Sequence, residues 1–226
     1  ITPDYSEAAK FGDLWLHPKQ GTDSALAMAF GHVILKEFHV DRKVPYFTDY
    51  CRKYSDMPFL VLLKNENGRY VPERFLRAGD FEGNLGEGNN PEWKPVAIDE
   101  LTDKVVVPQG SIGFRWGEKG GWNLEERAGE EAVSLALSTL EKRDAVLPVA
   151  FPYFGGVAHD HFTGTDHDEV LLRNIPTRRM KLAGGEVHVA TVFDLLCGNY
   201  GVDRGLGGDN VAKSYDDDVP YTPAWQ

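Results

Sequence analysis

The sequence predicts an α/β fold that carries an irregular insertion containing hairpins. Residues 25–34 are apolar nearly all round at helical spacing, which is typical of a buried helix. Residues 59–63 form a short apolar run that leads to a turn at Asn67 and Gly68, which is typical of a buried strand entering a hairpin. From about residue 72 to 124 the helical period fades, and Pro, Gly and Asn recur between short apolar pieces.

The remaining elements follow from the same kinds of pattern. Ile1–Ala9 is predicted to be the end of a strand followed by a helix, because Pro3 disfavours helix at Thr2. Further helices are predicted over residues 46–56, 125–140 and from Thr191 or Asp194 to Tyr200. Short strands are predicted at 96–98, 105–107, 170–172, 179–182 and 187–190, the last two joined as a second hairpin at Gly184 and Gly185. The Gly- and Asp-rich tail after Gly205 is predicted to be extended or mobile.

Composition excludes several classes of function. The 226 residues have 42% hydrophobic residues, which is enough for a core, and a formal net charge of −11. Nucleic acid is not expected as a partner, because binding to phosphate requires clustered Lys and Arg. The sequence contains no apolar run near the roughly 20 residues that span a bilayer.

Cys51 and Cys197 are far apart in sequence and are predicted to be reduced and unpaired. We expect them to lie in separate regions of the fold. Two thiols cannot hold an iron-sulfur cluster alone, because such a cluster needs about four thiolate ligands.

The loop before the helix predicted at residues 25–34 is the leading candidate for a binding site. Thr22 or Asp23 can cap the helix, and Gly21 allows the backbone to turn tightly and approach a ligand closely. A loop at the positive end of a buried helix is suited to a phosphate or dinucleotide ligand. The Asp23 carboxylate would repel phosphate, but it can accept two hydrogen bonds from the N1 and N2 edge of a guanine. The alternative is a capped core helix with an ordinary loop.

Several motifs resemble one family closely. Residues 13–16, 19–23, 25–29 and 31–34 resemble the segment of molybdopterin-dependent oxidoreductases that holds a guanine dinucleotide. Residues 46–50, 54–58, 89–94, 110–120, 151–156, 191–195, 199–201, 214–217 and 221–225 resemble the catalytic alpha subunit of respiratory nitrate reductase. The resemblance covers nearly the whole chain and is thinner at 125–150 and 157–170.

The resemblance implies an internal fragment with a Rossmann-like helix-strand segment. Residues 1–64 would be part of a dinucleotide-binding α/β domain, 65–190 the insertion, and 191–226 a short helix with an extended acidic tail. The implied cofactor-binding residues are Gln20, Gly21, Thr22 and Asp23, with Thr2 where the superfamily commonly has an acid. The implied cofactor is molybdopterin guanine dinucleotide with molybdenum, and the implied iron-sulfur cluster takes ligands from outside this chain, which therefore supplies no catalytic or metal-ligating residue.

The resemblance also implies the partners and the setting. The parent would reduce nitrate to nitrite in anaerobic respiration, together with the rest of the alpha subunit, an iron-sulfur beta subunit and a membrane gamma subunit. It would be cytoplasmic and membrane-associated through those partners. We expect the isolated chain to reduce no nitrate. A related chlorate, perchlorate or selenate reductase and a non-catalytic scaffolding segment remain as alternatives.

For the other polar clusters, the sequence allows both a functional and an ordinary structural explanation. His159, His161 and His167, with Asp160, Asp166 and Asp168, have the composition of a metal site, but a polar surface loop has the same composition. Arg115, Trp116, Lys119 and Trp122 could contact an anionic cofactor or pack an insertion onto its subunit. His32, on an apolar helix, is predicted to be a core histidine bonded to a backbone carbonyl.

Overall fold

A computed structural model of the chain describes residues 1–5, 7, 9–21, 23–110, 126–152 and 170–207. It is a mixed α/β structure. The helices are α1 Asp23–Ile34, α2 Pro45–Tyr54 and α3 Val192–Asn199, and a π-helical segment, Leu35–Asp41, directly follows α1. The strands are β1 Leu60–Glu66, β2 Arg69–Phe75, β3 Ala97–Ile98, β4 Val105–Val106, β5 Arg127–Ala128, β6 Glu131–Ala132, β7 Ala145–Pro152, β8 Val170–Leu182 and β9 Gly185–Thr191.

Five strands close into a barrel in the order β1, β2, β7, β8, β9, with β9 pairing back to β1. Four of the pairings are antiparallel, and β2 meets β7 in parallel at Tyr70 and Val149. The predicted Rossmann-like arrangement is not confirmed by these strands and stays a prediction. The short pairs β3–β4 and β5–β6 form two separate two-stranded ladders.

Both predicted hairpins are confirmed, and the residues in their turns explain why the chain reverses direction there. Asn67 and Gly68 have φ of 53° and 86°, so the tight turn between β1 and β2 needs residues that tolerate a positive φ. The Asn65 side chain accepts a hydrogen bond from the Gly68 backbone N–H at 3.1 Å. Gly185, with φ of 128°, begins β9 where it turns back from β8.

Alternate residues of the barrel strands enter different apolar clusters, because successive side chains of a strand point to opposite faces. Val61 and Ala190 pack in one cluster, whereas their neighbours Leu60 and Val189 pack in another. Both faces are therefore covered in the first half of β1 and in the last part of β9, whereas the opposite ends of these strands are exposed. The predicted strands at 96–98 and 105–107 are confirmed in β3 and β4, which border the second cluster.

The predicted helix over 125–140 is wrong. The described residues from 126 onward form the β5–β6 ladder, an extended segment and a short 3₁₀ turn at Leu140–Lys142. Burial in the extended segment alternates with a period of two, which is the period of a strand and not of a helix. The buried positions are Val133, Leu135, Leu137 and Thr139.

The helices before the barrel are confirmed in position but differ in environment. Helix α2 begins with Pro45 at its first turn, where the missing N–H of proline costs no hydrogen bond. The prediction that residues 25–34 form a buried helix is wrong for this chain, because Phe30 and Ile34 are each 45% exposed. Among the described residues at the start of the chain, Pro3 and Asp4 lie in a bend and Ala9–Phe11 forms a 3₁₀ turn, where the sequence predicts a strand end and a helix.

A buried carboxylate ties α3 to the rest of the fold. Thr191 caps α3 by accepting the Asp194 backbone N–H at 3.0 Å. The Asp194 side chain is fully buried, and it accepts hydrogen bonds from Ser138 Oγ at 2.5 Å, the Thr139 backbone N–H at 2.7 Å and Arg204 at 2.6 Å. Since Thr139 Oγ1 also donates to the Pro176 carbonyl at 3.0 Å, the network joins α3 to β8.

We expect Asp194→Ala to lower the free energy of unfolding by about 3–5 kcal/mol, because it leaves the buried Arg204 guanidinium without its counterion. Urea denaturation measures the change. Asp41→Ala, which breaks the exposed ion pair with Lys36, is the matched control, with an expected loss below about 1 kcal/mol. Equal losses in the two variants would contradict the role of the Asp194 network.

Candidate functional site

The predicted binding loop forms an exposed turn directly before α1. Gln20 and Gly21 lie in this turn and are exposed. Gly21 has φ of 81°, and beyond its two chain neighbours no atom of the described residues lies within 4 Å of the position that a Cβ would take. The glycine is therefore required by backbone conformation and leaves open space on its outer side. Thr22 lies outside the described residues.

Asp23 is the first residue of α1, and its side chain is exposed. The free backbone N–H groups of the first helical turn lie beside it, together with the positive end of the helix dipole. Its carboxylate makes no hydrogen bond or ion pair with the residues that the structure describes. The carboxylate is thus free of the described chain and can accept hydrogen bonds from a ligand.

Thr2 lies beside the segment that leads into this loop. Its backbone N–H donates to the Leu16 carbonyl at 3.1 Å, and the Trp15 indole N–H donates to the Thr2 carbonyl at 2.9 Å. The Thr2 hydroxyl donates to the Asp4 carbonyl at 3.2 Å. The structure thus joins Thr2 to the loop through Trp15 and Leu16.

Helix α1 packs against Tyr200, the residue that follows α3. His32 is buried and bonds through Nδ1 to the Tyr200 carbonyl at 2.7 Å, which confirms the predicted core histidine. A Cβ on Gly31 would lie 2.4 Å from Cε1 of the Tyr200 ring, so only glycine allows this close approach. Burial lowers the pKa of His32, and it also lowers the pKa of His39, which contacts the Phe193 ring.

The two cysteines are free and buried, but they do not lie in separate regions as expected. Cys51 on α2 and Cys197 on α3 pack in the same apolar cluster with Leu35 and Phe193. Burial raises the pKa of the Cys51 thiol to about 11 and that of the Cys197 thiol to about 12. Both thiols are therefore poor nucleophiles and poor metal ligands at neutral pH.

Sequence reasoning missed a cleft of about 590 Å³ on the side of α2. Arg52 and Arg204 line it, but each is paired, Arg52 with Glu100 at 2.6 Å and Arg204 with Asp194. The cleft brings together segments far apart in the chain, so no local pattern could have revealed it. Of the residues predicted to hold a nucleotide, those that the structure describes, Thr2, Gln20, Gly21 and Asp23, do not line this cleft.

The other polar clusters cannot be placed. The histidines and aspartates at 159–168 and the group Arg115, Trp116, Lys119 and Trp122 lie outside the described residues. Within the described ranges, no group of three or more His, Cys, Asp or Glu is placed to hold a metal ion. No helix in that part of the chain is both long and apolar enough to cross a membrane.

Comparison with known proteins finds relatives that match the chain over its whole length. It is 56% identical over 227 residues to the respiratory nitrate reductase 2 alpha chain of Escherichia coli strain K12, and 44% identical over 229 residues to the nitrate reductase alpha chain of Bacillus subtilis strain 168. Both matches cover 100% of this chain, which spans 18% of the length of either relative. No protein-family model matches the chain.

A more distant match is the perchlorate reductase subunit alpha of Dechloromonas aromatica strain RCB, 33% identical over 113 residues. That match covers 50% of this chain and 10% of the relative. The chain is therefore homologous to a segment of an oxidoreductase subunit. The particular family is the alpha chain of respiratory nitrate reductases, as its motifs predicted.

We expect the stability of the protein to fall as the pH decreases below the ordinary histidine pKa of 6.5. The unfolded chain binds protons there, whereas buried His32 and His39, with lowered pKa, stay neutral until lower pH. The variant His32→Gln with His39→Gln is expected to lose less stability between pH 7.5 and 5.5, as measured by urea denaturation. An unchanged pH dependence in the double variant would contradict this role.

We expect both cysteines to be free and slow to react in the native chain. With thiol pKa values of about 11 and about 12, the thiolate fraction at pH 8 is small, and burial blocks access. Reaction with a maleimide is expected to be at least about 100-fold slower than in urea. Titration after denaturation should find two free thiols, and finding none would show that the cysteines are paired.

Proposed function

We propose that this chain is a segment of a molybdenum-dependent nitrate reductase alpha subunit that reduces nitrate to nitrite in anaerobic respiration. The observation that carries this proposal is 56% identity to the Escherichia coli nitrate reductase 2 alpha chain over the entire chain. Nitrate is favoured over perchlorate because the perchlorate reductase relative matches at 33% and over half of the chain. A purely scaffolding role has no specific observation in its favour.

The segment would contribute part of the site for molybdopterin guanine dinucleotide. Gln20 and Gly21 would shape the loop, Thr22 would contribute beside them, and Thr2 would support the segment before the loop. The described residues are compatible with such a ligand, because the Gly21 turn is open on its outer side and the Asp23 carboxylate is exposed. The cofactor, when bound, would supply the redox chemistry that no side chain can perform.

Asp23 would recognise the guanine base. A carboxylate can accept two hydrogen bonds at once, and guanine offers two N–H donors on one edge, at N1 and N2. Because Gly21 has no Cβ, a flat base could approach the backbone closely at this position. The phosphates would lie away from the Asp23 carboxylate, because like charges repel.

The remaining components belong to the parent enzyme. We propose that further alpha-subunit sequence completes the Rossmann-like dinucleotide-binding domain that begins with residues 1–64, and that it supplies the ligands of molybdenum and of an iron-sulfur cluster. The relatives are named as alpha chains, which implies other subunits. An iron-sulfur beta subunit and a membrane gamma subunit would fill those places and hold the enzyme at the cytoplasmic side of the membrane.

We expect Asp23→Ala in the intact alpha subunit to reduce the content of guanine nucleotide while the fold is largely kept. As a residue of the first helical turn Asp23 is worth on the order of 1 kcal/mol, which a large subunit tolerates. Loss of the guanine acceptor leaves buried donors unpaired, at a cost of roughly 1–3 kcal/mol in binding. Nucleotide released per subunit, measured beside the melting temperature, separates the two effects.

Two further variants sharpen this test. Asp23→Asn keeps one acceptor and should retain more nucleotide than Asp23→Ala. Asp49→Ala removes an exposed carboxylate on α2, outside the loop, and serves as the matched control, with full nucleotide content expected. If Asp23→Ala keeps its nucleotide and only melts earlier, Asp23 is a structural residue of the helix end and the guanine proposal is wrong.

A further inference from the structure

The cleft of about 590 Å³ beside α2 has the size of a small-molecule site, and we call it the α2 cleft. Such sites typically have volumes of about 300–1,000 Å³ and combine apolar surface with a few polar groups. Helix α2 contributes Thr48 and Arg52 to the lining, and the turn before α2 contributes Lys43. The apolar residues of the lining are Val40, Leu137 and Leu140.

The guanidinium of Arg52 is only partly used by the protein. Arg52 Nη2 donates to Glu100 Oε2 at 2.6 Å, and the Arg52 side chain is 17% exposed. Its Nε is buried, and neither Nε nor Nη1 donates a hydrogen bond to a residue that the structure describes. A guanidinium carries several N–H donors, and a buried donor without an acceptor costs free energy. Arg52 therefore has capacity for a further acceptor.

Lys43 adds a second cationic group to the same cleft. Its side chain is exposed and makes no hydrogen bond or ion pair within the described ranges. The backbone of Lys43 has φ of 48°, a left-handed conformation that residues with a Cβ adopt only rarely. The next backbone N–H, that of Val44, donates to the Phe38 carbonyl at 2.8 Å and holds this turn. The fold thus places an ammonium group at the cleft with no counterion among the described residues.

The charges that line the cleft limit the charge of a ligand. Three cationic side chains and three carboxylates line it, namely Lys43, Arg52, Arg204, Glu100, Glu141 and Asp203. Because these formal charges cancel, a dianion such as hydrogen phosphate gains little from them. Arg204 is already paired with buried Asp194, so Lys43 and Arg52 remain as the donors that a single negative charge can use.

His39 does not change this balance at neutral pH. Its ring lines the cleft and contacts the Phe193 ring. Burial lowers the pKa of His39, and the charges of Arg204 and Lys43 lower it further, against the opposing effect of Asp194. His39 is therefore neutral there and can take part in hydrogen bonding without adding charge.

We propose that the α2 cleft binds a small aliphatic monocarboxylate. The carboxylate would accept hydrogen bonds from Arg52 and Lys43, and the hydrocarbon part would lie against Val40, Leu137 and Leu140. The described residues of the loop proposed to hold guanine do not line the α2 cleft, so the two sites are separate. Binding of such a ligand does not depend on the cofactor proposed above.

The first test measures protection of Lys43 by pentanoate in the full-length alpha subunit. Lysines are acetylated with an N-hydroxysuccinimide ester, and the endoproteinase Asp-N then releases residues 41–48, whose only lysine is Lys43. Residues 49–55 contain only Lys53, which pairs with Glu126 at 3.6 Å and does not line the cleft. We expect saturable slowing of Lys43 acetylation, by about threefold at twice the Kd, and no change at Lys53.

Pentanamide and inorganic phosphate are the matched probes, used at the same concentration and ionic strength. Neither should protect Lys43, because the amide carries no charge and phosphate carries up to two. Equal protection by either probe would contradict a monocarboxylate site, as would no protection by pentanoate or equal slowing at Lys53. If Lys43 fails to react even without pentanoate, other polypeptide fills the cleft and the proposal is wrong.

The second test separates ligand binding from the shape of the cleft. Arg52→Gln and Glu100→Gln break the same ion pair, but only Arg52→Gln removes the guanidinium donors. We expect protection by pentanoate to be lost in Arg52→Gln and kept in Glu100→Gln. Loss in both variants would show that the ion pair matters only for the shape of the cleft and would overturn binding through Arg52. The pentanoate titration of the unchanged subunit decides the proposal even where Arg52→Gln does not fold.

Discussion

The buried pair of Asp194 and Arg204 is the interaction on which the described structure most depends. The Asp194 carboxylate receives hydrogen bonds from the 138–139 segment as well as from Arg204, so one side chain joins three parts of the chain. Burying an ion pair costs desolvation free energy, and here the surrounding hydrogen bonds offset that cost. Because Thr191 ends β9 and caps α3, the same network fixes the direction in which α3 leaves the barrel.

The position of α3 in turn decides where the candidate site lies. Tyr200 directly follows α3, and its carbonyl and ring contact His32 and Gly31 of α1. The loop of Gln20 and Gly21 leads into α1. The contacts of α1 with Tyr200 therefore help to set the position of this loop relative to the barrel. The barrel thus supports a loop that is itself exposed. Binding residues commonly lie on loops that a scaffold positions in this way.

The sequence predicted those elements whose determinants are local. The β1–β2 turn depends on Asn67 and Gly68, and the α3 cap depends on Thr191, so both could be inferred from short patterns. Barrel closure could not be inferred, because the pairing of β1 with β9 joins residues more than 120 positions apart. The segment 133–139 is extended although the sequence predicts a helix there, because Val133, Leu137 and Leu140 also have the i, i+4, i+7 spacing of a helical face.

The candidate site shows the same division between local and distant determinants. Gly21 and Asp23 could be selected from sequence because a glycine before a helix and an acid in its first turn are local features, and the structure places both on the surface. The environment of α1 could not be predicted, since apolar periodicity states that a face is to be buried but not by which polypeptide. The structure answers this question for the side of α1 that carries His32, which is held by Tyr200.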